Sequence, residues 1–269
     1  MPGRGPISLC PLSTGAWDLG RDLELAARLG LTRTSVALAK VDAAGRPAGL
    51  EALAASGLEV DVVYPSGGLD LARPSSWADS AARLVDAVEV ASQIGATGVM
   101  ANGAPHGLGF EEARAAYAEA LGPVRRPAAD GGVALLLEPV RTQFAYANFV
   151  HTLRDGLAVA EHLDLGLVVD VTHCWWEPGL GALLAAAAPR AGTVHLADLR
   201  LDGPVLSRVV PGDGDLALGR FVDALLGAGY RGPFELEVMG PAIEAEGLEA
   251  ALTRSVSVVE GLLAADRPG

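Results

Sequence analysis

The stretch LGLVVDVTH, residues 165–173, reads as a strand covered on both faces that stops on an acid. An unbroken apolar run of this length suits the interior of a parallel sheet. Asp170 closes the run, and an ionisable group there is costly unless something compensates it. The same design recurs nearby. GVALLLEPV (132–140) ends on Glu138, GTVHLADLR (192–200) carries His195, and GPFELEVMG (232–240) carries Glu237. Four such ends arriving at one rim would make a divalent-ion site with oxygen and imidazole ligands.

Working outward, apolar strand-like runs alternate with longer amphipathic segments along the whole chain. Strands are expected at 7–11, 33–38, 59–64, 97–101, 132–138, 165–170, 192–197 and 233–238. Helices are expected near 18–29, 47–56, 76–94, 110–128, 149–163, 179–187, 216–228 and 243–264. Strict alternation argues for parallel βαβ units. Gly30, Gly57, Gly95, Gly131, Gly132, Gly166, Gly192 and Gly229 read as punctuation of the helix-to-strand turns. An open doubly wound sheet would carry a glycine-rich phosphate loop after its first strand; LSTGAWDLG (12–20) is no such loop. The expectation is a single (β/α)8 TIM barrel over 1–269, with its site at the C-terminal ends of the strands. The intervals agree. Glu138 to Asp170 spans 32 residues, Asp170 to His195 spans 25 and His195 to Glu237 spans 42, against roughly 31 per unit in a barrel of about 250 residues. The last interval contains an unusually long connection, 199–215, and long loops inside compact domains are more often functional than accidental.

Composition narrows the partners. The net charge is −13, and the only adjacent basic pair of note is Arg125-Arg126, so a nucleic-acid partner is not expected. No stretch reaches the roughly 18 apolar residues of a membrane span, and the N-terminus lacks a signal-like apolar segment. Two distant cysteines, Cys10 and Cys174, do not form a disulfide framework. They read as free thiols in a cytoplasmic protein. Outer helices rich in alanine and leucine leave a homo-oligomer open.

The segments LLLEP (135–139), VVDVTHCW (168–175), TVHLAD (193–198), RVVPGDGD (208–215) and GPFELEV (232–238) resemble the sugar isomerase/epimerase family with a xylose-isomerase-like barrel. The likeness is strongest over about 132–240. It implies one divalent ion, Mn2+ or Mg2+ first with Co2+ or Zn2+ compatible, held by Glu138, Asp170, His195 and Glu237. It implies that His173, in Asp-x-x-His, and Arg208, in Arg-x-x-Pro-Gly-x-Gly, bind substrate. The substrate implied is a small sugar or polyol carbonyl compound. Glu138 and Glu237 would then also serve as the catalytic pair that removes and returns a proton beside the carbonyl. Glu235 rivals Glu237 as fourth ligand, since the two point to one face, but Glu235 would lie deeper. Trp175 and Trp17 are candidate substrate walls, as aromatic faces stack on sugars. Trp176 shares that reading, and Asn102 and His106 fall where they could face the pocket. Asp198 would orient a ligand or cap a loop. His151 and His162 read as loop or helix-face residues.

Barrels with this ligand set also run lyase chemistry, the dehydration of 3-dehydroshikimate or elimination from keto-glycosides, so a metal-dependent lyase is the alternative. The apurinic-site endonucleases share the barrel but carry additional metal-binding histidines after strands two and three and an Asp-x-His after strand seven, and the corresponding VYPSGG, MANGAP and PGDGD hold no histidine. A non-catalytic barrel would have no need of the intact ligand set.

Overall fold

Eight parallel strands close on one another in the computed structural model, which describes residues 5–203 and 206–265. They are β1 (Ile7–Leu9), β2 (Arg33–Ala37), β3 (Glu59–Tyr64), β4 (Gly98–Met100), β5 (Ala134–Leu137), β6 (Gly166–Asp170), β7 (Ala191–Leu196) and β8 (Phe234–Leu236). Each pairs with its neighbours in chain order, and β8 pairs with β1, so no edge is left open. Every strand begins and ends within two residues of its expected span. This is the (β/α)8 barrel that the alternation called for.

Between strands and helices lies a continuous apolar shell, while the interior is plugged by Cys10, Val62, Tyr64, Met100, Leu136 and Val168. Gly166 and Gly192 are not turn glycines. They lie in β6 and β7, where a Cβ would come 2.5 Å and 2.7 Å from the Leu136 side chain. With Gly98, whose Cβ would lie 2.6 Å from Leu136, they make room for that leucine in the barrel floor. By contrast Gly57 and Gly95 do cap helices in the left-handed conformation.

The helices differ more from expectation, for local reasons. The helix expected over 149–163 starts at Leu153, because Thr152 caps it by accepting from the Asp155 N–H at 3.0 Å. The last one breaks at Gly247 (φ +94°) into Pro241–Glu246 and Leu248–Ala264. Two short helices, Leu38–Ala43 and Val171–Cys174, follow β2 and β6 directly. The long connection 199–215 is largely a hairpin, Asp198–Arg200 against Ser207–Val209, which brings Arg208 back over the barrel mouth. Residues 204 and 205 of that connection lie outside the described residues. No described helix is long and apolar enough to cross a membrane. Cys10 and Cys174 are free and buried.

Candidate metal centre

The strand ends converge as the spacing required. One side-chain atom from each of Glu138, Asp170, His195 and Glu237 falls within 4.8 Å of all the others, and all four residues are buried. Strand register accounts for part of this. Asp170 and His195 are direct partners across β6 and β7, and His195 and Glu235 are partners across β7 and β8.

Each group is held by neighbours. The Glu138 backbone N–H donates to Asn102 Oδ1 at 3.0 Å, and Asn148 Nδ2 donates to the Glu138 carbonyl at 2.6 Å. Asp170 caps the turn that follows it, Oδ1 accepting from the Thr172 N–H at 2.6 Å. Its Oδ2 accepts from Arg208 Nη2 at 2.8 Å. Burial alone would raise the Asp170 pKa, but His173, Arg208 and His195 outweigh it and hold the carboxyl below its ordinary range. Arg208 Nη2 also lies 2.7 Å from Glu237 Oε2, off the line of a good hydrogen bond.

His195 stands between two layers. Its Nδ1 lies 3.1 Å from Glu138 Oε1 and 3.5 Å from Glu237 Oε2. Its Nε2 lies 2.9 Å from the Tyr64 hydroxyl and 3.5 Å from Glu235 Oε2. Tyr64 donates to Glu235 Oε1 at 3.3 Å, and Thr193 donates to Oε2 at 3.1 Å. Burial opposes a charge on this imidazole, but Glu138, Glu235 and Glu237 together raise its pKa well above the ordinary value. Glu235 is thus the deeper glutamate, turned to the far nitrogen, while Glu237 faces Nδ1.

The donor set fits a divalent ion. Glu138 Oε1, His195 Nδ1 and Glu237 Oε2 are buried, face one another and make no well-aligned hydrogen bond, Glu237 Oε2 being ion-paired with Arg208. Buried polar atoms normally make good hydrogen bonds, so three facing atoms that lack them suit a bound cation. Three carboxylates and one imidazole make a mainly hard set. Cys10, His195 and Glu235 also lie within 4.8 Å of one another. There Tyr64 and Thr193 already satisfy Glu235, and burial raises the Cys10 thiol well above its ordinary pKa, so that inner group reads as core packing.

His173 is buried beside the cluster, its Nε2 3.6 Å from Asp170 Oδ2, its ring against Phe144 at 5.3 Å and its Nδ1 without a partner. A cavity of about 500 Å³ has Tyr64, Met100, Asn102, His106, Leu12 and Tyr146 among its walls, of which Tyr64 contacts His195 and Asn102 contacts Glu138. Neither Trp17 nor Trp175 lines it. Trp17 carries the Arg21 guanidinium 3.6 Å above its ring. Trp175 lines a separate apolar cavity with Leu184 and Phe221, and packs edge-on to the exposed Trp176. Asp198 holds the Arg208 loop by accepting from the Gly212, Leu216 and Leu199 backbone N–H groups. His162 is exposed, and His151 precedes its helix, with Nδ1 2.9 Å from the Val140 carbonyl. The ends of β2 and β3 present Ala37, Ala39 and Tyr64, with no histidine.

Sequence reading passed over Tyr64, Arg141 and Asn148. Tyr64 closes the run EVDVVY, and a polar hydroxyl at a strand end was an available signal. Arg141, three residues beyond Glu138, carried no pattern of its own. Asn148 acts through the backbone, which leaves no trace in spacing.

A family model described as xylose isomerase-like TIM barrel matches residues 21–255. Solved structures align over nearly all of the chain. A protein from Sinorhizobium meliloti 1021 superposes with a TM-score of 0.85 at 22% identity, covering 96% of this chain and 98% of its own. D-allulose 3-epimerase from Methylomonas sp. gives 0.76 at 21%, covering 97% and 99%. The IOLI protein, solved with a zinc atom bound, gives 0.80 at 18%, covering 96% and 98%. No curated protein matches the chain in sequence.

Proposed function

The chain belongs to the xylose isomerase-like TIM barrel family, and from that premise we propose that it is a divalent-metal-dependent isomerase or epimerase of a small polyol carbonyl compound such as a ketose. One observation carries the reading: the buried, mutually facing Glu138 Oε1, His195 Nδ1 and Glu237 Oε2, which make no well-aligned hydrogen bond. Glu138, Asp170, His195 and Glu237 would hold the ion. Mn2+ or Mg2+ suits the carboxylates, and Co2+ or Zn2+ is compatible with the imidazole. A bound ion of this kind supplies Lewis acidity, which polarises a carbonyl and makes the neighbouring C–H acidic.

The chain's own groups do the rest. Glu138 on one side and Glu237 on the other flank His195, so one carboxylate can take a proton from carbon while the other returns it to the opposite face. Arg208, fixed by Asp170 and Glu237, and His173 orient the substrate oxygens. Tyr64 and Glu235 accept or share the Nε2 proton of His195, which leaves Nδ1 free to act as a ligand. The fold likeness to an enzyme described as a D-allulose 3-epimerase agrees with a ketose as substrate.

The test is solvent exchange. Incubation of the ion-loaded protein with ketoses in deuterated water is expected to place deuterium on carbon next to the carbonyl. Glu138→Gln and Glu237→Gln are each expected to lower that rate at least about 100-fold while the fold survives. Near-native exchange in either variant would remove it from the catalytic pair. Loss of water or of an aglycone in the same incubation would mark a lyase instead.

A further inference from the structure

Among the described residues Arg141 is a buried cation without a paired counter-ion. It lies in the connection after β5, and only 6% of its surface is exposed. Among the described residues its one hydrogen bond runs from Nη1 to the Thr172 carbonyl at 3.4 Å. Nε is buried with no partner. Among the described residues it joins no ion pair, and Asp170 and Glu237 attract it only at longer range. The guanidinium sits 5.2 Å from the centre of the Phe144 ring, which in turn packs on His173.

Its surroundings offer more unmet donors. Arg208 reaches the same residue, Nη2 donating to Thr172 Oγ1 at 3.1 Å. Arg208 Nε and His173 Nδ1 are both buried and unpartnered. Burial and the nearby Arg208 charge pull the Arg141 pKa down, so the protein itself disfavours this cation. A buried unpaired guanidinium is costly, and its planar fork matches a carboxylate or a phosphate.

We propose that Arg141, with Arg208 and His173 beside it, forms an anion subsite, so that the substrate is a polyol carbonyl compound bearing a carboxylate or a phosphate rather than a neutral sugar. The assignment of that anion to the substrate rests on the function proposed above. The orphaned Arg141 itself does not.

The test uses probes that differ in the anionic group: D-fructose, 2-keto-D-gluconate and D-fructose 1-phosphate, titrated calorimetrically into the Mg2+-loaded protein. Wild type is expected to bind at least one anionic probe roughly 10- to 100-fold more tightly than fructose, the worth of a charge-assisted hydrogen bond. Which anion is preferred separates carboxylate from phosphate. In Arg141→Gln that preference is expected to collapse, with Arg141→Lys intermediate. A second readout needs no substrate. Removing an uncompensated buried charge is expected to raise the melting temperature of the ligand-free protein, whereas loss of a merely structural arginine would lower it. Equal binding of neutral and anionic probes by wild type, or a preference that survives Arg141→Gln, would overturn the subsite. So would a lower melting temperature in that variant. Anion binding through Arg141 without any carbon-bound exchange would instead retain the subsite and sink the isomerase reading.

Discussion

A side chain at Gly214 would collide with the Asp198 carboxylate: an added Cβ would lie 2.4 Å from Asp198 Oδ1. That carboxylate accepts from the Gly212 N–H at 3.0 Å and the Leu216 N–H at 3.0 Å, and so ties down both ends of PGDGD. Gly212 itself takes φ +91°, which glycine tolerates without strain. The hairpin strand carrying Arg208 is registered against Asp198, with Asp198 opposite Val209. Arg208 therefore owes its position to a residue outside the cluster of Glu138, Asp170, His195 and Glu237.

Asp198→Ala is expected to destabilise the protein by about 2–3 kcal/mol, because backbone donors lose a charged acceptor. Gly214→Ala should act in the same direction through the collision. Urea unfolding measures both. Binding of substrate should weaken as well, since Arg208 would no longer be held at 2.8 Å from Asp170.

Ion content is a separate measurement. Elemental analysis is expected to find one equivalent of divalent ion in wild type and markedly less in His195→Ala. At an ion concentration of about 100 times Kd the folded state should gain about 2.7 kcal/mol, so a chelator should lower the melting temperature of wild type but not of the variant. A barrel that serves only as a scaffold would show neither effect.

The floor of the barrel gives a stability prediction. Gly192→Ala is expected to cost about 1–3 kcal/mol by overpacking against Leu136, which is wholly buried and has nowhere to move. Leu136→Ala alone should cost about 2–5 kcal/mol through the cavity it leaves. The double variant should lose clearly less than the two costs combined, as residues in contact are not additive. Strict additivity would mean that the two side chains do not compete for space.

Asp61, within β3, sets a pH dependence. Burial pushes its carboxyl up to about 6 against the pull of Arg33, whose Nε donates to Oδ1 at 2.7 Å. Between the unfolded value, about 3.9, and about 6 the folded protein holds more protons than the unfolded chain. This group's contribution to stability is therefore greatest below that window and is lost as pH rises through it. The unfolding free energy of wild type minus that of Asp61→Asn should fall from about pH 4 to about pH 7. A flat or rising difference would contradict the raised pKa.

The closed barrel and the convergence of Glu138, Asp170, His195 and Glu237 were legible in the chain. An unbroken apolar strand followed by a helix admits few arrangements, and parallel strands in register carry their ends to one rim. Local pattern also separated Glu235 from Glu237 by depth. What lay beyond it was decided by contacts between distant strands. Tyr64 reaches across from β3 to Nε2 of His195 on β7, 131 residues away, while Nδ1 faces Glu138 and Glu237. Gly98, Gly166 and Gly192 are spaced like turn residues, yet only closure of the barrel brings them around one leucine. Trp175 directly follows the site motif, but the turn Val171–Cys174 rotates it into another cavity. Arg141 looked ordinary in the sequence because being unpaired is a property of the space around a charge, and periodicity along a chain records burial but not the partners found there.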